Sequence, residues 1–393
     1  MRNVGTVVRG IRTPIIKEDT NLEDTVIESL MKAKESEGFE FRDRDIIAIT
    51  EAVVGISEGN YVTVDNISEF VANLFPEKEV GLVFPILSRN RFSMILKGIA
   101  RGVDKITMLL SFPSDEVGNG IMNKEDLLNS PFKTSDMITE ADYKKYFAKY
   151  LHPFTGINMV KFYRELIESE NCKAEFVFSN NPLDILKYTN NVINCDIHTR
   201  YETKEMLKKE NANVYGLYEI MNKPINGSGY NPEYGLLGSN KSTEERLKLF
   251  PKTGQTLVDN IQKRMKELTG KNIEVMVYGD GAFRDPVGGI WELADPVVSP
   301  AFTKGLVGTP NELKLKYISD NVYDNLRGEE LAEAIKKEIK AKNDNLKGNM
   351  ASQGTTPRRL TDLIGSLCDL TSGSGDKGTP VVFIQGYFDN YAD

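Results

Sequence analysis

The sequence has few residues of the kinds that build disulfide frameworks or metal clusters. Its 393 residues include three cysteines, two histidines and one tryptophan. Cys172, Cys195 and Cys368 are far apart and odd in number, so they match neither a disulfide framework nor the paired spacing of a zinc site. Such sparse use of cysteine is typical of a reducing compartment, and we expect the protein to be cytoplasmic.

Long apolar runs and an excess of positive charge are also missing. The first residues, MRNVGTVVRGIRTP, lack the apolar core of a signal peptide, and the longest apolar runs are too short to cross a bilayer. The net charge is −8, from 49 Lys and Arg against 57 Asp and Glu, which disfavours nucleic-acid binding through bulk charge. We therefore expect neither a membrane nor a nucleic acid as a partner.

The composition is that of an ordinary globular protein, with 40% hydrophobic residues, and the chain is long enough for two or three domains. Helical periodicity and strand-like apolar runs succeed one another without strict βαβ order. The patterns predict helices at 21–38, 92–102, 158–169, 254–270, 326–345 and 359–370, and strands at 45–49, 104–112, 174–179, 192–198, 273–277 and 380–388. Asn21 or Thr20 can cap the first helix, and Gly270 ends the fourth.

A glycine-rich stretch, YGDGAFRDPVGG, follows the strand predicted at 273–277. An acid just past the carboxyl end of a strand presents its carboxylate well to Mg²⁺ or Mn²⁺, which prefer oxygen ligands and often hold substrate phosphates. Asp280 is thus a candidate metal ligand and catalytic residue, and Arg284 is a candidate clamp on a phosphate. The alternative is a tight turn in which Asp280 is only a turn former and Arg284 is solvated.

A second glycine loop, SGSGDKG, lies between the last predicted helix and the last predicted strand. Its backbone N–H groups and Lys377 are suited to phosphates, and Ser372, Gly373, Ser374 and Gly375 complete the candidate set. The spacing is not that of a Walker A loop, and the loop leads into a strand instead of a helix. The alternative is an ordinary glycine-rich connection.

A third loop, GLLGSNKST, offers Asn240 and Lys241 to a ligand. Its simpler interpretation is a helix N-cap, with Ser242 or Thr243 preceding a helical segment EERLKLF.

Taken in order, these segments resemble the coenzyme F420-0:γ-glutamyl ligase family. The resemblance covers roughly 1–75 and 231–393, with 290–350 poorly matched, and 76–230 looks like an inserted or added α/β region. The motifs that carry it are Pro14-Ile15-Ile16-Lys17-Glu18-Asp19-Thr20-Asn21-Leu22, Val54-Gly55-Ile56-Ser57-Glu58-Gly59-Asn60, Gly238-Ser239-Asn240-Lys241-Ser242-Thr243, Lys248-Leu249-Phe250-Pro251, Glu267 to Gly270, Asp280-Gly281-Ala282-Phe283-Arg284, and Thr356, Asp362, the 372–378 loop and Pro380-Val381-Val382.

The resemblance implies a homodimeric ligase that uses GTP (or ATP) and Mg²⁺ or Mn²⁺ to join L-glutamate to a small-molecule carboxylate through an acyl phosphate. By the same resemblance, Asp280, Asn240 and the last glycine loop would hold the metal ion. The nucleotide would contact Pro14, Ile15, Gly55, Glu58, Gly59, Lys241, Ser372, Gly373, Ser374, Gly375 and Lys377. Asn240 stands where the family has an acid, and Gly281 where it has threonine. Ile56 and Asn60 stand where it has lysine and arginine.

The resulting prediction is an α+β fold with mixed and antiparallel sheets and flanking helices. A ligase-like core would comprise 1–75 and 231–393, interrupted by an α/β region at 76–230. Two other functions remain open. The protein could be a relative that has lost ligation and binds a nucleotide or metabolite as a sensor or scaffold, or its function could lie in 76–230.

Overall fold

The computed structural model of the protein describes residues 3–153, 155–281, 295–352, 358–372 and 376–393. Its strands are β1 Val7–Ile11, β2 Ile46–Thr50, β3 Tyr61–Thr63, β4 Glu79–Val83, β5 Lys105–Leu110, β6 Ile138–Thr139, β7 Lys173–Phe178, β8 Asn191–Asn194, β9 Asn213–Gly216, β10 Asn240–Thr243, β11 Arg246–Lys248, β12 Glu274–Tyr278, β13 Ala301–Phe302 and β14 Val381–Gln385. Its α-helices are α1 Leu22–Glu37, α2 Glu51–Ser57, α3 Val64–Leu74, α4 Phe92–Gly102, α5 Lys124–Leu128, α6 Glu140–Tyr146, α7 Met159–Ser169, α8 Arg200–Lys209, α9 Gly254–Thr269, α10 Leu315–Asn321, α11 Gly328–Ala341 and α12 Leu360–Ser372.

One mixed sheet has the strand order β1-β14-β2-β12-β13. β2 and β12 are parallel, whereas β14 is antiparallel to both of its neighbours, β1 and β2. Successive side chains of these strands point to opposite faces of the sheet, so each strand contributes to two hydrophobic cores. Ile47 and Phe383 face a core completed by α1 and α9, and Ile46 and Val382 face a core completed by α12. The prediction of an α+β fold with mixed sheets is confirmed.

Local capping explains where the helices of this part begin and end. The Asn21 side chain accepts a hydrogen bond from the Asp24 N–H and starts α1. Gly38 and Gly270, with φ of 68° and 70°, end α1 and α9 in the left-handed conformation that glycine adopts without strain. The predicted apolar face of α9 is right for Ile261 and Met265, which are buried, but Leu268 is 57% exposed.

A second sheet has the order β6-β7-β5-β4-β8-β9, in which all strands but β6 are parallel. The order of the parallel strands reverses direction between β4 and β8. In open α/β sheets, ligands bind outside the carboxyl ends of the strands at such a reversal. The chain leaves the carboxyl end of β4 through residues 84–91, and this segment leads into the candidate active site. The division of the chain at residues 76 and 231 remains a prediction.

The segment EERLKLF is not a helix, so the predicted N-cap at Ser242 or Thr243 is wrong. β10 and β11 form a hairpin there, and β11 also pairs with β3. Leu247 and Leu249 are both fully buried. Their two-residue spacing is that of one face of a strand, so tertiary burial decides against helix.

No helix among the described residues combines the length and the apolar character needed to cross a bilayer.

The Glu116 carboxylate makes the second sheet sensitive to pH, although the residue as a whole is exposed. Glu116 lies just past β5, and its carboxylate accepts hydrogen bonds from the N–H groups of Ile197 and His198, just past β8. Burial, with repulsion from Asp196, raises the pKa of Glu116 from 4.5 to about 7. The folded protein therefore holds this proton up to a higher pH than the unfolded chain does. Glu116 thus lowers stability as the pH rises from about 4.5 to about 7.

We expect Glu116→Gln to reduce the fall in unfolding free energy across this pH range by about 1 kcal/mol, because solvent screens the charge of this exposed residue. Urea denaturation at several pH values measures the fall. Glu202→Gln, at an exposed position of α8, is the control and leaves it unchanged. An identical pH dependence in the wild type and Glu116→Gln would contradict the assignment.

Candidate active site

Arg91 joins two aspartates that lie far along the chain. Its Nη2 atom is 2.5 Å from Asp280 Oδ2, and its Nη1 atom is 2.7 Å from Asp295 Oδ1. The Asp295 side chain is fully buried, that of Arg91 is 13% exposed and that of Asp280 is 27% exposed. Burial alone would lower the pKa of Arg91, but attraction to Asp295 and Asp280 outweighs it and raises this pKa. One guanidinium therefore neutralises much of a buried acidic site.

Asp280 follows β12 on a turn that packs closely against Asp295 and α12. The residues on either side of Asp280 are glycines, and a side chain at either position would clash. The Asp280 N–H donates to Asp295 Oδ2 at 2.7 Å. A Cβ atom on Gly279 would lie 2.4 Å from that same oxygen, and one on Gly281 would lie 2.7 Å from the Cα of Ser366 on α12. A threonine at 281, as in the family motif, therefore requires α12 to shift.

Asp369 on α12 is the third acid of the site. Its Oδ2 atom accepts a hydrogen bond from the Gly281 N–H at 2.9 Å. Burial raises the pKa of Asp369; the Gly281 N–H opposes that shift, and the charge of Asp295 adds to it. Asp369 thus links the turn at Asp280 to the cavity described below.

The segment that carries Arg91 is fixed by two buried side chains. The Leu87 N–H donates to Asp115 Oδ2 at 2.7 Å, and the Ser88 N–H donates to the Tyr163 hydroxyl at 2.7 Å. Asp115 is 7% exposed, and Tyr163 is fully buried. The Arg91 N–H then donates to Ser88 Oγ at 3.1 Å. Arg91 therefore starts from a backbone held by the second sheet.

A buried ion pair, Glu51–Lys248, lies within electrostatic range of Asp295 and Arg91. The two groups are 2.5 Å apart, with side chains 5% and 6% exposed. Burial raises the pKa of Glu51; attraction to Lys248 opposes the shift, and the charge of Asp295 adds to it. Gly55 makes the pair possible, because a Cβ atom there would lie 3.2 Å from Lys248 Cδ and 2.9 Å from the Leu249 carbonyl oxygen.

A cavity of about 370 Å³ adjoins Asp369. It gathers residues that the sequence places at opposite ends of the chain: Pro14 and Ile15 after β1, Thr50 at the end of β2, and Ser372 and Thr379 around the last glycine loop. A neighbouring cavity of about 940 Å³ shares Thr13, Pro14 and Thr379 with it. Four basic side chains line the larger cavity: Arg9, Arg12, Lys32 and Lys377. Together the two cavities can hold an elongated anion.

The structure brings together some of the residues named from sequence. Pro14, Ile15, Ser372 and Lys377 line the cavities, and Asp280 contacts the site through Arg91 and Gly281. Arg284, Gly373, Ser374 and Gly375 lie outside the described residues.

The described residues named from sequence that line neither cavity are Gly55, Glu58, Gly59, Asn240, Lys241 and Asp280 itself. The Glu58 carboxylate accepts hydrogen bonds from the Lys252 and Thr253 N–H groups before α9. Asn240 pairs with Lys248 in the β10–β11 hairpin, and the Lys241 N–H donates to the Asn90 carbonyl oxygen, beside Arg91. Their roles toward a ligand remain predictions.

The donor atoms fit a metal ion that arrives with its substrate. The described residues contain no group of three or more His, Cys, Asp or Glu arranged to hold a metal. Asp280 and Asp369 nevertheless offer carboxylate oxygens on either side of Gly281. Mg²⁺ is commonly held by one or two carboxylates together with substrate phosphates, so these two side chains are of the ligand type that it prefers.

Sequence reasoning missed the residues that complete the site, Arg91, Asp295, Asp369, Glu51 and Lys248. A signal for Arg91 exists: EVGLVFPILSRNR is an apolar strand followed by polar residues, the same pattern that singled out Asp280. No local signal marks Lys248, which lies between two buried leucines.

Comparison with known proteins gives one result that bears on this site. A family model described as F420-0:Gamma-glutamyl ligase matches residues 10–386, nearly the whole chain, with the middle region inside the match. A search of curated proteins finds no match.

The Glu51–Lys248 pair predicts a large and specific loss of stability. Lys248→Met leaves Glu51 buried without its partner, which we expect to cost about 3–5 kcal/mol of unfolding free energy. The matched control is Lys241→Met in the same hairpin, where the Lys241–Glu244 pair is exposed and the expected cost is under about 1 kcal/mol. Chemical denaturation measures both. Equal losses in the two variants would contradict the burial of the pair.

Proposed function

The chain belongs to the F420-0:gamma-glutamyl ligase family, and on that premise we propose that it joins L-glutamate, or another amino acid, to the carboxylate of a small molecule with the use of GTP or ATP. The observation that carries the proposal is the meeting of Pro14, Ser372 and Asp369 at one cavity, with Asp369 bonded to the turn of Asp280. Segments from both ends of the chain thus surround a space beside an acidic site.

The proposed reaction has two steps. An oxygen of the acceptor carboxylate attacks the γ-phosphorus of the nucleotide. The bond between the γ-phosphorus and the β,γ-bridging oxygen breaks, the nucleoside diphosphate leaves, and an acyl phosphate forms. The amine of glutamate then attacks the acyl carbon, loses its proton and displaces inorganic phosphate, which leaves an amide. Both steps bring anions together, so positioning and charge neutralisation matter more than a protein nucleophile.

The residues of the site are suited to this task. Asp280 and Asp369 would hold Mg²⁺ or Mn²⁺, which supplies positive charge to the phosphate oxygens when it is bound. Arg9, Arg12, Lys32 and Lys377 give the adjoining cavity a basic wall for the triphosphate. These side chains compensate for Ile56 and Asn60, which replace two cations of the family motif.

Asn60 itself has a structural role. It is buried, its amide donates to the Phe250 carbonyl oxygen, and its side-chain oxygen accepts from the Tyr230 N–H.

A second candidate function is binding of a nucleotide or metabolite without turnover. The observation that favours it is the pairing of Asp280 with Arg91, which engages the carboxylate that a ligase needs for its metal ion. Such a protein would be a sensor or scaffold.

The proposal extends to a cytoplasmic homodimer. The family resemblance implies the dimer, and three buried free thiols accord with a reducing compartment.

Release of phosphate tests the ligase directly. Purified protein is incubated with GTP or ATP, Mg²⁺ or Mn²⁺, glutamate and a panel of small carboxylates, and products are identified by mass spectrometry. We expect amide formation that falls about a hundredfold or more in Asp280→Asn, because loss of the charge removes a metal ligand. Asp259→Asn, exposed on α9, is the control and should retain full activity.

The outcomes separate the two candidates. Product that forms equally well in Asp280→Asn contradicts the assigned site. Nucleotide affinity by calorimetry without product from any acceptor favours the sensor or scaffold. Absence of both nucleotide binding and product overturns the proposal.

A further inference from the structure

Arg91 lies in the region at 76–230, outside the segments that carry the family resemblance, yet it contacts Asp280. We propose that Arg91 is a positioning residue that makes binding of a divalent metal ion at Asp280 conditional on the nucleotide. The inference rests on the proposed nucleotide and metal site and adds a residue from the second sheet to it.

The two terminal nitrogens of the guanidinium pair with carboxylates that differ in burial. Nη1 contacts Asp295, whose side chain is fully buried, whereas Nη2 contacts Asp280, whose side chain is 27% exposed. Separation from Asp295 would leave a buried carboxylate without a counter-ion, which is strongly unfavourable. The Asp280 carboxylate is partly exposed, so separation of Arg91 from it costs less. The contact that can be exchanged is therefore the one with the candidate metal ligand.

The backbone on which Arg91 stands is fixed. Asp115 and Tyr163 hold the N–H groups of Leu87 and Ser88, and the Asn90 carbonyl oxygen accepts from the Lys241 N–H at 2.7 Å. The segment is therefore tied to the second sheet on one side and to the β10–β11 hairpin on the other. Exchange at Asp280 would therefore involve the Arg91 side chain and not its backbone.

Charge makes this exchange depend on an anion. A metal ion bound to Asp280 alone would lie within a few ångströms of the Arg91 guanidinium, and two cations at that distance repel each other strongly in a buried site. A triphosphate in the adjoining cavities brings negative charge that attracts both cations. Metal and nucleotide should therefore bind with positive cooperativity, which must be reciprocal.

Binding of Mn²⁺, measured by the electron paramagnetic resonance signal of the free ion, tests the inference without turnover. It is measured for the intact protein with and without a non-hydrolysable GTP or ATP analogue. In the wild type we expect weak binding of Mn²⁺ alone and at least about tenfold tighter binding with the analogue. In Arg91→Gln we expect Mn²⁺ alone to bind about tenfold more tightly than in the wild type, because the repelling charge is gone.

Two variants serve as controls. Asp280→Asn should lose binding of Mn²⁺ alone, also in combination with Arg91→Gln, which shows that the gain occurs at Asp280. Arg101→Gln removes an arginine of α4 that pairs with Asp65, Glu170 and Glu245 at the surface, and it should leave Mn²⁺ binding as in the wild type. A purely structural role for Arg91 predicts the opposite result, weaker Mn²⁺ binding when it is removed.

Folding is checked by thermal melting. Should Arg91→Gln fail to fold, the double variant Arg91→Gln/Asp295→Asn replaces it, since the amide introduced at position 295 carries no charge and the carboxylate of Asp280 is kept. Mn²⁺ binding alone that is equal to or weaker than that of the wild type, in whichever variant folds, overturns the inference. Tighter Mn²⁺ binding without amide formation from any acceptor supports the inference while the proposed ligase activity fails. Amide formation in the wild type without a gain in Arg91→Gln overturns the inference alone.

Discussion

The site depends on the Arg91 guanidinium, which forms ion pairs with both Asp280 and Asp295. Asp295 is fully buried and receives the Asp280 N–H as well as the guanidinium, so it sets the position of both. Without a cation there, three carboxylates, Asp280, Asp295 and Asp369, would repel one another in a partly buried space. Because Arg91 belongs to the segment after β4, the parallel sheet stabilises an acidic site built on the other sheet.

The close approach of α12 to the turn after β12 follows from the same arrangement. Gly279 and Gly281 lack the Cβ atoms that would strike Asp295 and Ser366, so the backbone N–H groups of 280 and 281 can bond directly to carboxylates. The family motif has a threonine at 281. In this chain the helix occupies that space, and its Asp369 takes part in the site instead.

Local patterns predicted much of the fold, and contacts between distant segments account for what they missed. The caps and periodicity of α1, α4 and α9 are properties of short stretches, and so is the position of Asp280 after a buried strand. Arg91 is 189 residues from Asp280 and belongs to another sheet, so no local rule could join them. The hairpin at 240–248 was wrongly predicted as an N-cap followed by a helix, because Ser242 and Thr243 suit an N-cap as well as a strand. Only the burial of Leu247 and Leu249 decides between the two.

The place of β14 in the first sheet has a consequence for the order in which the protein forms. β14 lies between β1 and β2 and joins them, although it is made more than 300 residues after either. On the ribosome, the parallel sheet can assemble once β9 has emerged and β2 can pair with β12, whereas β1 and the second edge of β2 stay unpaired until β14 is made. Arg91 would then be in place before most of the acids it neutralises have been synthesised. A chain that stops before residue 381 would expose those edges permanently, which makes it a natural substrate for chaperones and proteases.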